Sequence, residues 1–346
     1  MEKEKAVSNS VTERDFTGLA FLPVKNKVLE KLYQKQKDVF WTAQEVDYTN
    51  DRSHWDRTTP EVRHYVGFLV KLFAQLDGIV NENLTENFKH ETSVYAKECA
   101  MFYAIQEAME WGHNETYSLL IKTFFRNRQE QAQALNSIKH YPSIRKIADW
   151  SFSWMDSSRP LLERVVAFTC IEGIIFSSAF AGIYWVKRMN ILPGLTKANE
   201  WIARDEGIHT EFGVALYHHL TEIWKKFDAL PERRIHEIIR SAVNTTEIFT
   251  RDAMNVHLVG LNADDMVAYV QTTADVLCKS FGYAPIYGTV NPFDWMVVIS
   301  LPNKTNFFEG KVSEYAREGA EYSDEDGSDD SENSIEKDDF DLAVPF

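Results

Sequence analysis

The chain has 346 residues, 44% of them apolar and 13% aromatic, enough for a large core and too apolar for a disordered protein. Its net charge of −15 argues against nucleic acid as a direct partner, although residues 321–341 alone hold eleven Asp and Glu against one Lys, leaving about −5 elsewhere. Cys99, Cys170 and Cys278 are isolated, without CxxC spacing, so they offer neither a disulfide framework nor a zinc knuckle and suit a reducing cytoplasm.

Residues 1–15 are polar, lack the apolar run of a signal peptide and are expected to be flexible. A helical pattern runs from Lys25 to Phe40, just before Trp41. Thr59-Pro60 is a helix start, with proline at the first helical position. Val66, Leu69, Phe73, Leu76 and Val80 then recur at the three-and-four spacing of an amphipathic helix. The pattern predicts further helices over 88–125, 128–140, 143–155, 160–189, 196–227, 232–258 and 263–281, with little strand-like alternation.

Past Phe281 the pattern weakens into turns at Asn291-Pro292 and Leu301-Pro302. A low-complexity acidic stretch, SDEDGSDDSENS, precedes the apolar end Leu342-Ala-Val-Pro-Phe346. The prediction is an all-α chain: one helical domain over 16–310, between a flexible segment 1–15 and a flexible tail 311–346.

One helix imitates a membrane span. Val165 to Val186 reads VVAFTCIEGIIFSSAFAGIYWV, long enough to cross a bilayer but interrupted by Glu172. A carboxylate at a bilayer centre costs at least about 2.5 kcal/mol, and the chain has no second candidate span. The expectation is therefore no membrane, but a helix buried on all sides with a positive partner for Glu172.

Glu110-Trp-Gly-His113 and Glu206-Gly-Ile-His209 each place an oxygen and a nitrogen ligand on one helix face. With 30 Glu and 10 His, about one such spacing is expected by chance, and Glu61-Val-Arg-His64 reads as surface. The other two pairs sit inside long apolar-faced helices. Asp77 continues the stripe of Leu69 and Phe73, and Glu172 interrupts the long apolar run. Isolated buried carboxylates are too costly to scatter through a core, so these acids are expected to share cations.

Such a set, a carboxylate from each of two helices and Glu-x-x-His from each of two others, is the known pattern of dinuclear carboxylate bundles. Four carboxylates and two divalent ions cancel in charge, and hard oxygens with two imidazoles suit iron or manganese. Tyr117 lies along the same face as Glu110 and His113, which brings its phenol near the metals. Phe176 and Phe180 follow Glu172 on its face; they wall the site with unreactive rings or are simply core.

These residues resemble the small subunit of class I ribonucleotide reductase, of the eukaryotic kind. The likeness runs through LDGIVNENL, AMEWGHNETYSLL, VVAFTCIEGIIFSSAFA, ARDEGIHTEF, NPFDWM and KTNFFEGKVSEY, in order across residues 20–315. It implies a ferritin-like helical bundle holding two iron ions, oxo-bridged when oxidised, with manganese less favoured. Asp77, Glu110 and His113 would bind one ion, and Glu172, Glu206 and His209 the other.

By the same resemblance, Tyr117 carries a stable radical made with dioxygen, and Phe176 and Phe180 shield it. Trp41, in FWTAQEVD, and Asp205 would link His113 to a radical route that leaves through Tyr315, with Tyr322 close by. Without the resemblance, Asp205 reads as a helix-surface acid. The large catalytic subunit would be docked by the end of the tail through Leu342, Val344 and Phe346, and the family is homodimeric and cytoplasmic. DFDLAVPF departs from the commonest ending in Pro345, which puts docking to another species' large subunit in doubt.

The implied activity is ribonucleoside-diphosphate reduction, dependent on thioredoxin or glutaredoxin, supplying deoxyribonucleotides for DNA replication. The chain has no phosphate-cradling Gly-x-x-x-x-Gly-Lys loop, which agrees with a substrate site on the large subunit. Two other readings share the ligand set or the fold: another ferritin-like di-iron oxidase or ferroxidase, and a non-radical stabilising partner subunit.

Overall fold

The computed structural model describes residues 20–297. The expected flexible ends, and Tyr315, Tyr322, Leu342, Val344 and Phe346 with them, lie outside the described residues. Fourteen α-helices follow one another among the described residues, with no strand beyond an isolated bridge between Leu258 and Leu261.

An inner bundle is made by α3 (Pro60–Asn83), α5 (Lys97–Phe124), the pair α9 (Leu161–Cys170) and α10 (Ser177–Arg188), and α11 (Pro193–His218). Helix α3 packs along α5, and α11 packs against α9 and α10. Helix α1 (Lys27–Asp38) lies against both α5 and α11. Its Asn26 side chain accepts from the Leu29 amide, which caps its first turn. On the far side, α12 (Glu232–Ala253) packs against α8 (Pro142–Met155), α9 and α13 (Ala263–Ser280).

The starts of the long helices follow from local chemistry. Thr59 caps α3 by accepting from the Val62 amide, with Pro60 at the first position, as the sequence predicts. Helix α11 begins at Pro193 after Leu192, which adopts a left-handed conformation at φ 52°. Its first amides, which have no partner within the helix, are met by Asp51, whose buried carboxylate accepts from Gly194 and Leu195 at 2.7 Å each. Asp51 opens α2 (Asp51–Arg57), a short helix whose sequence, DRSHWDR, carries no apolar period and so escapes prediction.

The predicted helices over 88–125 and 160–189 are real but interrupted. The first breaks at Val94–Ala96, between α4 (Lys89–Ser93) and α5. The second widens into a π turn over Ile171–Ile175, the stretch that holds Glu172. Its apolar run is buried throughout, as expected of a core helix. The remaining short helices are α6 (Arg128–Ala134), beside α5, α7 (Ser137–His140), beside α3 and α8, and α14 (Asp294–Val297).

Close approach of α10 to α3 depends on Gly182. A Cβ there would strike the Tyr65 hydroxyl and come within 2.8 Å of Leu69 Cδ1, both fully buried and unable to move aside. Gly182→Ala is expected to destabilise the chain by about 1–3 kcal/mol, read as a lower urea midpoint with helical circular dichroism unchanged in the folded state.

Candidate metal centre

The bundle brings all six expected ligands into its interior. Asp77 comes from α3, Glu110 and His113 from α5, Glu172 from the π turn, and Glu206 and His209 from α11, each buried. Ligand atoms of Glu110, Glu172, Glu206 and His209 all lie within 4.8 Å of one another. His113 Nδ1 lies 3.4 Å from Glu110 and 3.1 Å from Glu206, and His209 Nδ1 3.1 Å and 2.8 Å from the same two acids. By contrast, Glu61 and His64 are exposed, as expected of a surface pair.

These residues fit a pair of cations better than they fit one another. Asp77 Oδ2, Glu110 Oε2, His113 Nδ1, Glu172 Oε2 and Glu206 Oε1 are buried without a hydrogen-bond partner. Native interiors rarely leave one such atom orphaned, and a cluster of them pointing inward is a metal site's signature. The expected positive partner of Glu172 is not a side chain: its Oε1 accepts from Gln106 Nε2 at 3.1 Å, a neutral donor.

Protons respond to the same crowding. Burial, and then the charge of Glu110, pushes the Asp77 carboxyl well up; burial and then Glu206 do the same to Glu172. Burial would also raise Glu206, but His209 and His113 outweigh it and hold that carboxyl low. Burial lowers His209, yet Glu206 and Glu110 reverse this and carry it up to about 9. His113 is likewise raised against burial by Asp205, Glu110 and Glu206. Without metal, protons do the work that cations would do.

Tyr117 is buried beside this cluster, and its hydroxyl makes no hydrogen bond. Burial, followed by the charge of Asp77, pushes its phenol well above the ordinary range. Phe73 stacks flat on it, centroids 4.6 Å apart at 5°, and itself meets Phe176 at 5.3 Å and Phe180 at 4.9 Å. Phe73 is thus the ring against the tyrosine. Its signal in the sequence was its place four residues before Asp77 on one stripe.

Asp205 is not a helix-surface acid but fully buried. Its Oδ2 accepts from Trp41 Nε1 at 2.7 Å and faces His113 Nε2 at 3.2 Å. Arg204 holds the other oxygen and also donates to the Val39 carbonyl. Trp41 stacks on His113 at 6.0 Å and meets Trp201 at 5.1 Å.

Two further groups escaped the sequence reading. Gln106 spans Glu110 and Glu172 with its side-chain amide, and Gln36 of α1 contacts His209. Both sit on buried helix faces, Gln106 four residues before Glu110, and Gln36 in register with Leu29 and Leu32. A polar residue on an apolar stripe was the available signal.

Since each ion must displace protons from these ligands, divalent-metal affinity is expected to fall as pH drops below about 9, where His209 becomes protonated. Calorimetric titration with cobalt in buffers of different ionisation enthalpy should show proton release on binding.

A profile of the family described as "Ribonucleotide reductase, small chain" matches residues 19–292. The chain is 42% identical over 299 residues to the ribonucleoside-diphosphate reductase small chain of Spisula solidissima, covering 86% of this chain and 76% of that one. It is 39% identical over 320 residues to the small subunit of Dictyostelium discoideum, covering 92% of each. Among solved structures, the ribonucleotide reductase Rnr4 homodimer of Saccharomyces cerevisiae superposes with a TM-score of 0.67 at 28% identity, over 86% of this chain and 89% of that one. A ribonucleotide reductase subunit from Clostridium botulinum shares the fold at TM-score 0.68 and 20% identity, over 77% and 85%.

Proposed function

Because the chain belongs to the ribonucleotide reductase small-chain family, we propose that it is the radical-generating subunit, with iron held at Asp77, Glu110, His113, Glu172, Glu206 and His209 and Tyr117 as the radical site. The observation that carries this reading is the convergence of six buried ligands from four helical segments, with orphaned oxygens and a nitrogen facing inward, beside a fully buried tyrosine. The donor set accepts manganese as well as iron; the adjacent tyrosine favours two iron ions.

When bound, the two ions would supply, with dioxygen, the oxidising power that removes one electron from Tyr117. The protein's own part is to make that loss clean and lasting. Burial keeps the phenol protonated at rest, so its proton must leave with the electron. Asp77, whose charge is the largest influence on the phenol after burial, has an unpartnered Oδ2 that can receive it. Phe73, backed by Phe176 and Phe180, excludes water that would quench the radical.

Export uses a different set of residues. His113, Asp205 and Trp41 form a continuous hydrogen-bonded chain out of the centre, in which Asp205 fixes the imidazole tautomer and takes the indole proton contact. Beyond Trp41 the route continues to Tyr315 and then to a cysteine of the large subunit, where the 2′-hydroxyl of a ribonucleoside diphosphate is replaced by hydrogen. Leu342, Val344 and Phe346 at the end of an acidic linker dock that subunit, the linker giving reach and the aromatic end giving burial. The working form is a homodimer in the cytoplasm.

Reconstitution of the metal-free chain with ferrous iron and oxygen tests this directly. A tyrosyl signal in electron paramagnetic resonance should appear, and Tyr117→Phe should abolish it while leaving iron absorption intact. Iron absorption without any radical in the native chain would point instead to another di-iron oxidase; no iron uptake would point to a non-radical stabilising partner. Asp205→Asn and Trp41→Phe should retain iron uptake yet reduce nucleotide reduction with the large subunit to background.

A further inference from the structure

Gln36 faces the metal-binding cluster from behind His209, and its amide has no freedom to turn. With the oxygen towards His209, it accepts from His209 Nε2 at 2.9 Å and from the Gln106 backbone amide at 3.2 Å, while its NH2 donates to the Phe102 carbonyl at 3.2 Å. The opposite orientation would set donor against donor and acceptor against acceptor, so the network fixes the assignment. Gln36 is completely buried, and no solvent competes for these contacts. Phe102 and Gln106 are one helical turn apart, so a side chain of α1 is bound to both ends of that turn of α5.

We propose that Gln36 is a positioning residue for the second metal: it fixes His209 as the Nε2–H tautomer, so that Nδ1 is the atom offered to the ion. This rests on the metal reading above. The geometry of His209 agrees with it, since Nδ1 faces Glu206 at 2.8 Å and Glu110 at 3.1 Å, while Nε2 faces away to the amide. His113 is arranged in parallel, Nδ1 inward and Nε2 outward, but its outward partner is the Asp205 carboxylate.

The two imidazoles therefore have unlike supports, an anion for His113 and a neutral amide for His209. A carboxylate behind an imidazole raises its basicity as a ligand more than an amide does. One short segment reaches behind both imidazoles: Gln36 contacts His209 directly, Trp41 contacts the Asp205 that supports His113, and His209 and Asp205 lie four residues apart on α11. Gln36 also holds the backbone of Gln106, whose side chain ties Glu110 to Glu172.

The test is stepwise titration of the full-length metal-free chain with manganese, followed by electron paramagnetic resonance of the free ion. The native chain should take up two ions. Gln36→Met should weaken one of the two steps by about 10–100-fold and spare the other, whereas Gln36→Glu, which keeps an acceptor behind Nε2, should restore it. Equal weakening of both steps, with a matching loss of thermal stability, would reduce Gln36 to a packing role and overturn the proposal. Native-like uptake by Gln36→Met would also overturn it and leave the metal centre standing; no uptake by the native chain would remove both. Should Gln36→Met not fold, the 15N histidine spectrum of the zinc-loaded native chain decides: His209 should be protonated on Nε2, and protonation on Nδ1 refutes the assignment.

Discussion

Four carboxylates and two imidazoles buried together in one interior impose the condition on which the rest of this structure depends. Charges of like sign at such separations repel strongly in a medium that cannot screen them, and each has lost its hydration. The chain meets this condition by bringing the acids from different helices to a common point, where positive charge can serve all of them. Metal ions are the natural occupants, and protons the substitute in their absence, which is why Asp77 and Glu172 rise while the imidazoles hold their protons so firmly. A fold that must deliver six ligands to one point needs long, rigid elements. The inner helices provide them, with α11 anchored at its start by Asp51 and α10 drawn close to α3 by the absence of a side chain at Gly182.

Rigid helices alone would not suffice, because an imidazole can still rotate about its own bonds and exchange tautomers. Orientation comes from behind. Asp205, held by Arg204 and Trp41, faces His113, and Gln36, locked against α5, faces His209. Helix α1 and the residues just after it thus act as a brace across α5 and α11, although they contribute no ligand. The π turn at Ile171–Ile175 serves a related end by carrying Glu172 into the same cluster. An extra residue in the turn shifts Glu172 relative to the flanking α-helical register, a local adjustment that regular helix geometry would not permit.

Much of this was legible from residue order. The helical class, the Glu-x-x-His pairs, Asp77 and Glu172 all announce themselves as acids where periodicity demands apolar residues, and burial in the structure agrees at each. What escaped reading has a common physical cause. Asp205, reached in the sequence only through the family resemblance, otherwise looks like a surface acid because its neighbours Arg204 and Glu206 are charged; in the structure it is buried and bonded to Trp41, 164 residues earlier. Gln36 and Gln106 are neutral and unremarkable in sequence; their importance lies in contacts between α1, α5 and α11 that no local pattern records. Helix α2 fails to show because its one buried apolar side chain, Trp55, sets no period, and its buried Asp51 serves the start of another helix.

On the proposed function, the surroundings of Tyr117 and of Trp41 solve opposite problems. A stored radical survives when nothing can give it a hydrogen atom, and Tyr117 has a hydroxyl without hydrogen bonds and an aromatic ring stacked flat upon it. A radical that must travel needs the reverse: donors and acceptors in contact, so that proton and electron rearrange together. Trp41 has this, with its indole bonded to Asp205 and its ring stacked on His113. The two environments differ accordingly, apolar around the tyrosine and hydrogen-bonded around the tryptophan. Storage and export are thus divided between two surroundings, and the imidazole of His113 is the element common to the metal centre and the way out.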